Sequence, residues 1–298
     1  MADIDSEAIG WITEQVVEAL ARGEDDAVDP QALVLLVRGY GTGDHPDLAD
    51  ALGPALARAC ARDPSGDDPR RHAGWLTLFV EASAISDDTR MPIAAADRVS
   101  RLRQLWGGAR EVEALTQSID ACLLAADLID ADPRELVPHA IDELERVVGG
   151  AYRPGAGIAE RIGDPCSARG RLGDHVRAAS ALLTAYGVTA RLPYAMLAEE
   201  LIQFARQALW DDGAGGFVEQ PGVRVKPFAL NGEASRVLCR LAALHDTPEY
   251  AKAAVVAPGA DYGSDADRTL RSMEPSYRAH GANAAIYALA LGDRHRLR

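Results

Sequence analysis

Helical periodicity dominates the pattern of hydrophobic and polar positions along the chain. The first clear unit, ALVLLVRGYGTGDHPDLADALGPALARACARD (residues 32–63), reads as an apolar helix, a short polar turn and an amphipathic helix. The same plan returns in residues 118–148 and 177–210, in a shorter form in 233–256 and more weakly in 75–106. A proline follows each turn, at Pro46, Pro92, Pro133, Pro193 and Pro248. Proline is tolerated in the first turn of a helix, where its missing N–H has no partner to lose, so each one marks the start of a second helix. The spacing of about 50 residues is that of a helical-hairpin repeat. In each pair the first helix is apolar over most of its surface, which predicts an inner position. The second carries its charges on one face, which predicts an outer one.

Two helices remain, an amphipathic one at 6–23 and an apolar one at 281–292. If the two ends of the chain meet, these form a sixth hairpin. The expected fold is then all-α, an (α/α)6 toroid of about twelve helices in a single domain spanning residues 1–298. The alternative is an open helical-repeat array, whose terminal helices would both need a polar outer face.

The connections are unequal. Turns inside hairpins are short, whereas 63–74, 149–173, 211–230 and 258–280 are long. In an antiparallel ring all the between-hairpin connections emerge on one face, so one mouth of the ring carries most of the irregular chain. Long loops in a compact domain commonly build or cover a site. Within ALWDDGAGGFVEQ (208–220) the glycines turn the chain off an outer helix. FVEQPGVRV then predicts a small β-hairpin near residues 216–226, turning at Pro221-Gly222 and lying over the mouth.

Charge narrows the ligand class. The formal net charge is −14 and the pI about 4.9, which argues against nucleic acid and anionic membranes as partners. The four cysteines form no CxxC pair, so neither a zinc site nor a disulfide framework is indicated. The acidic N-terminus lacks the pattern of a signal peptide, and no apolar run approaches a membrane span. A cytoplasmic location with reduced thiols follows as an expectation. GxGxxG, P-loop, HExxH and GxSxG motifs are absent, so no cofactor or metal is called for. DYGSDAD (261–267) has oxygen ligands at alternate positions but lacks the closing glutamate of a calcium loop.

RQALWDDGAGGFVEQ and KPFALNGEASRVLCRLAALHDTPEYAKAA, with LGDHVRAASALLTAYGVT before them, resemble the C-terminal six-hairpin toroid of spermatogenesis-associated-type thioredoxin-domain-containing proteins. The likeness covers roughly residues 170–255; it rests on an aspartate and GGF closing one hairpin and a lysine-proline pair before a small-residue helix start. The same architecture is shared with N-acylglucosamine 2-epimerases and several glycoside hydrolases. The resemblance therefore implies a small polar, sugar-like ligand at the mouth, and a thioredoxin-like or other protein partner. Three departures stand against carrying it further: the thioredoxin domain is absent, Asn231-Gly232-Glu233 replaces the family's serine-rich start, and aromatic residues make up only 5% of the chain.

Residues at the starts of inner helices face the mouth near positive dipole ends. These are Arg71 and His72 (with Arg70), Asp174 and His175, Asn231 and Glu233, and His280 and Asn283. Asp174 and Glu233 are candidates for the acid/base pair of glycoside hydrolysis. Asp174 is equally suited to N-capping, and Glu233 to favouring a helix dipole. His175 and His280 are candidates for epimerase-like proton transfer, against the common role of satisfied structural histidines. Further ligand contacts are expected from Asp211, Phe217, Glu219 and Lys226 along the 211–230 connection, and from Tyr277. Asp211, with Asp212, also suits a turn. The second function class is a catalytically inert toroid that binds a ligand or a protein. Carboxylates paired to arginines would favour that class.

Overall fold

A computed structural model describes residues 2–24, 28–43, 45–63, 68–129, 133–253, 256–257 and 259–297. The helices are α1 (Ala2–Ala21), α2 (Pro30–Gly41), α3 (Ala49–Ala61), α4 (Pro69–Ser83), α5 (Arg90–Arg103), α6 (Val112–Leu124), α7 (Pro133–Ala151), α8 (Leu172–Thr189), α9 (Leu192–Leu209), α10 (Phe228–His245), α11 (Pro248–Ala253), α12 (Tyr262–Met273) and α13 (Ala285–His295). The prolines that follow the turns fall where helix chemistry requires. Pro133 and Pro248 open α7 and α11, Pro193 and Pro92 sit in the first turns of α9 and α5, and Pro46 opens the 3-10 turn leading into α3. Two further prolines, Pro30 and Pro69, begin α2 and α4 behind aspartate N-caps.

The helices α2, α4, α6, α8, α10 and α13 form the inner ring, each packed on the next, and α13 closes the circle against α2. The outer layer is α1, α3, α5, α7, α9 and α12. The chain ends do meet, because α1 packs on α13 and on the 3-10 stretch Glu274–Ala284 before it. Arg278 bonds Glu7 at 2.9 Å, His295 Nε2 lies 2.9 Å from Asp5, and Trp11 meets Tyr277 edge-on at 5.5 Å. This is the (α/α)6 toroid. Its apolar core fills the space between the two layers. Gly232 permits one of the closest approaches: a Cβ there would come within 2.6 Å of Ile286 Cγ1, so α10 and α13 could not pack as they do.

Two sequence expectations are corrected. The outer partner of α10 is α12, which lies inside the expected 258–280 loop, while the segment expected to be that partner forms only the six-residue α11. The acids of α12 hide a helix whose apolar face is narrow: Tyr262, Ala266, Thr269, Leu270 and Met273 are its buried residues, at helical spacing. As a result one long connection, 246–261, lies on the rim otherwise made of short turns. The small sheet also lies elsewhere. Tyr152–Arg153 pairs antiparallel with Gly157–Ile158, inside the 149–173 connection. Near 216–226 there is only the bridge Trp210–Phe217 and a bond from the Glu219 N–H to the Val225 carbonyl, at 3.0 Å. Pro221 and Gly222 make the expected turn, but no ladder follows.

A buried polar cluster fixes α11 and α12 to the outer wall. Glu199 of α9 is fully buried; it accepts from Tyr262 Oη at 2.8 Å and Tyr250 Oη at 3.1 Å, and sits 2.7 Å from His245 Nε2. Removing the carboxylate would orphan three donors at once. Glu199→Ala is expected to lower the unfolding free energy by about 3–5 kcal/mol in urea denaturation, with Glu199→Gln costing less.

Candidate functional site

The lumen of the ring is polar. Its inner helices carry stripes of hydrophilic residues at helical spacing: Glu113, Gln117 and Asp120 on α6, Arg177, Ser180 and Thr184 on α8, and Glu233, Arg236 and Arg240 on α10. Two lobes follow the axis. The mouth lobe, of about 390 Å³, lies among the first turns of the inner helices and is bordered by Asp29, Asp68, Arg70, Arg71 and Asn283. The inner lobe, of about 380 Å³, runs on to the last turns, where it meets Arg38, Glu81, Leu124, Arg240 and Asp293. Gln31, Gly74, Gln117, Arg177 and Glu233 border both, forming a waist. Among the described residues no aromatic side chain lines either lobe.

Ion pairs run around this lumen from helix to helix. Arg38 of α2 bonds Glu81 of α4 (Nε to Oε2, 3.2 Å) and Asp293 of α13 (2.9 Å). Arg70 of α4 reaches Glu113 of α6 at 2.8 Å. Arg177 of α8 donates to Glu113 and takes Glu233 of α10 in a two-pronged contact, at 2.9 and 3.0 Å. Arg236 of α10 donates to Asp293 at 2.6 Å. Burial alone would lower the pKa of Arg177, but Glu233, Glu113 and Asp174 together raise it.

Of the residues expected at the site, Arg71, Glu233 and Asn283 line the lumen. Because α10 begins at Phe228, Glu233 lies in its second turn, too deep to serve the helix dipole. The others build the wall behind. His175 is fully buried and stacks on Phe204 with centroids 4.9 Å apart. Its Nδ1 lies 2.8 Å from the Arg171 carbonyl, and its Nε2 accepts the Ile158 N–H at 3.2 Å. That arrangement requires the neutral Nδ1–H tautomer. Burial pushes its pKa down to about 4. Gly157 (φ 67°) makes room for the ring, since a Cβ there would lie 2.4 Å from Nε2. His280 is exposed and stacks on Phe228 with centroids 3.9 Å apart, so the two histidines share no cavity. His72 is buried in α4.

Asp174 is also buried, and the capping position belongs to Arg171 instead. Neither Asp174 oxygen has a hydrogen-bond partner among the described residues, and burial, with Glu113 and Glu160 nearby, pushes its pKa up to about 7. Asn231 holds the backbone of Phe217 on both sides, accepting its N–H at 2.7 Å and donating to its carbonyl at 2.9 Å. Phe217 itself is core, set edge-on to Trp210. Asp211 is the turn former: it accepts from the N–H groups of Gly213 and Ala214 and pairs with Lys226 at 2.7 Å. Lys226, then the Ala214 N–H, hold its carboxyl down to about 2. Glu219 stitches the same connection to α8, its carbonyl accepting the Leu172 N–H at 2.9 Å. Tyr277 is buried against Tyr287 and Trp11. The acids of the calcium-like stretch are likewise engaged: Asp261 caps α12, Asp265 pairs with Arg206 and Asp267 with Arg294.

Asp29 was not singled out in the sequence. It caps α2, its Oδ1 accepting the Gln31 N–H at 2.8 Å, and faces the mouth lobe with Oδ2 unbonded within the described protein. Although Asp29 itself is solvent-exposed, burial by the surrounding chain, with Glu233 as a further contributor, raises its pKa. The readable signal is Asp-Pro before an apolar run, in VDPQALVLL. Among the described residues no group of three or more His, Cys, Asp or Glu is placed to hold a metal ion, and no helix is long and apolar enough to cross a membrane.

Ring and lumen together define an (α/α)6 toroid, the fold of six-hairpin, glycosidase-like proteins. Solved structures similar to the chain are of this kind. An unsaturated glucuronyl hydrolase from Bacillus sp. GL1 matches with a TM-score of 0.73 at 13% identity, over 99% of this chain and 97% of that one. An inactive variant of an α-1,6-mannanase from Salegentibacter sp. HEL1_6, in complex with α-1,6-mannotetrose, matches with 0.65 at 10% identity, over 97% and 99%. A D-mannose isomerase matches with 0.63 at 12% identity, over 90% and 85%. At these identities the likeness is one of fold. No protein-family model and no curated protein sequence matches the chain. The likeness to thioredoxin-domain-containing proteins finds no support in these comparisons, nor does the protein partner it implied.

Two buried groups give the pH dependence opposite signs. Asp174 titrates at about 7 in the folded chain against an ordinary 3.8, so its contribution falls as pH rises through that window. His175 titrates at about 4 against an ordinary 6.5, so its contribution is present above 6.5 and lost as pH falls towards 4. Asp174→Asn removes only the first. Its stability relative to the unsubstituted chain is expected to increase from pH 4 to 7 and then level off, at up to about 4 kcal/mol. Urea denaturation at several pH values reads this directly; a difference independent of pH would refute it.

Proposed function

We propose that this chain binds a small, polyhydroxylated, sugar-like ligand in the lumen of its ring. The observation that carries this reading is the lumen wall itself. All six inner helices contribute to it, mostly with paired or neutral hydrogen-bonding groups, and its lobes have the size of small-molecule sites. The sugar-active proteins that share the fold favour the same ligand class. Binding ranks ahead of turnover because Glu233 is engaged by Arg177, as expected for an inert toroid. The reading places the chain in the cytoplasm, where its four unpaired cysteines would remain reduced.

A second reading, hydrolysis or isomerisation, is favoured by Asp29. Its raised pKa and free oxygen suit a proton donor, with the Glu233 carboxylate of the Arg177 pair lining the same lobe. On this reading Asp29 takes the acid role first expected of Asp174.

Calorimetry and thermal shift against a panel of mono- and oligosaccharides test both. A bound sugar near 100 times its Kd is expected to raise the melting temperature by about 5 °C. Gln117→Leu at the waist should abolish the shift while leaving the fold intact, since its Oε1 has no partner to lose among the described residues. The absence of any sugar-dependent shift would reject the binding reading. If a bound sugar is turned over, Asp29→Asn should slow the reaction about 100-fold or more and leave binding in place.

A further inference from the structure

The inner lobe holds a pair of arginines on one helix that a neutral-sugar site does not require. Arg236 and Arg240 lie one turn apart on α10 and both line the lobe. Like charges at that spacing repel unless something between them compensates. Arg236 has Asp293, but that carboxylate also accepts from Arg38 and Arg296. Burial alone would raise the pKa of Asp293; the three guanidiniums, led by Arg236, hold it below the usual carboxylate range.

Arg240 has no carboxylate bonded to it. It donates to the Ser180 carbonyl at 3.2 Å, to Ser180 Oγ at 3.1 Å and to Thr184 Oγ1 at 3.0 Å, all neutral oxygens. These bonds use three of its five N–H donors. The nearby carboxylate, Asp120, reaches it only through the Ser180 hydroxyl, which donates to Asp120 Oδ2 at 2.6 Å. Three guanidiniums (Arg38, Arg236 and Arg240) and three carboxylates (Glu81, Asp120 and Asp293) line this end of the lumen. Arg38 and Arg236 bond their carboxylates directly, whereas Arg240 is separated from Asp120 by the Ser180 hydroxyl.

We infer that the inner lobe holds an oxyanion, a carboxylate or a phosphate carried by a sugar-sized ligand, on Arg240 with Arg236 beside it. Two unused donors on one planar guanidinium match two oxygens of such a group. The inference rests on the reading of the lumen as a sugar site and adds the ligand's charge and its direction, with the anionic group away from the loop-rich mouth.

Calorimetry on the full chain with glucose, glucuronate, glucose 6-phosphate and inorganic phosphate tests it, on the unsubstituted protein and on Arg240→Gln and Arg240→Lys, with circular dichroism to check the fold. At least one acidic sugar is expected to bind about tenfold or more tighter than glucose, the size of one charge-assisted bond. The preference should vanish in Arg240→Gln, survive in part in Arg240→Lys, and weaken with added salt in the unsubstituted protein. Which acidic sugar wins distinguishes carboxylate from phosphate. Equal affinity for glucose and both acidic sugars would overturn the inference and leave the sugar reading standing, as would a preference that persists in Arg240→Gln. Protection by inorganic phosphate alone, lost in Arg240→Gln, would keep the oxyanion site and reject the sugar. If Arg240→Gln fails to fold, the salt dependence and Arg240→Lys decide, and a preference insensitive to both overturns it.

Discussion

The circuit of ion pairs around the lumen is the interaction on which the site depends. Arg38 joins α13, α2 and α4, and Arg177 joins α6, α8 and α10, so two guanidiniums between them touch all six inner helices. Arg70 to Glu113 and Arg236 to Asp293 supply the two remaining junctions. A ring of helices has no central core of its own, because its apolar packing lies between the layers. The axis must be filled with something that tolerates water at either end. Paired charges do this, and each pair also fixes the rotation of two neighbouring helices. Arginine suits the task better than lysine because one planar fork can serve two carboxylates on different helices. The two lysines of this chain, Lys226 and Lys252, both lie away from the lumen.

The same circuit constrains chemistry. A carboxylate held in a two-pronged contact, as Glu233 is, is a poor base or nucleophile until its partner moves. A carboxyl outside the ion-pair circuit, as Asp29 is, can carry a proton on its second oxygen. Ring closure and acid/base activity therefore compete for the same side chains. The absence of aromatic residues from the lumen wall belongs to this picture. Among the described residues the lumen wall offers hydrogen bonds and charge rather than aromatic faces, and both are set by how the circuit is paired.

Much of the fold was legible because it rests on periodicity. Apolar runs, prolines after turns and the two unmatched terminal helices were enough to imply closure. What failed was α12, where acids at Asp261, Asp265 and Asp267 looked like a loop although each carboxylate has a structural partner. The site was less legible. Of the residues at helix starts, Arg71, Glu233 and Asn283 line the lumen, while Asn231 stitches the 211–230 connection and His175 anchors the small sheet. His175, Asn231 and Asp211 are spent on backbone groups that a one-dimensional pattern cannot show. The lumen residues were present as a pattern all the same. Arg177, Ser180 and Thr184 fall at i, i+3 and i+7 in a helix read as apolar nearly all round, and so do Glu233, Arg236 and Arg240. A thin polar stripe on an inner helix is the mark of a wet axis.

That stripe also explains why the lumen is not confined to the mouth. Side chains three and four apart on a helix stack along one line parallel to its axis, so a polar residue in the first turn is continued by others below it. Three such lines, on α6, α8 and α10, run along the passage, and its deeper end is defined by residues such as Arg240 and Asp293, far along their helices from the mouth. The long connections shape only the entrance. The lining beyond Arg177 and Glu233 is therefore set by the inner helices alone.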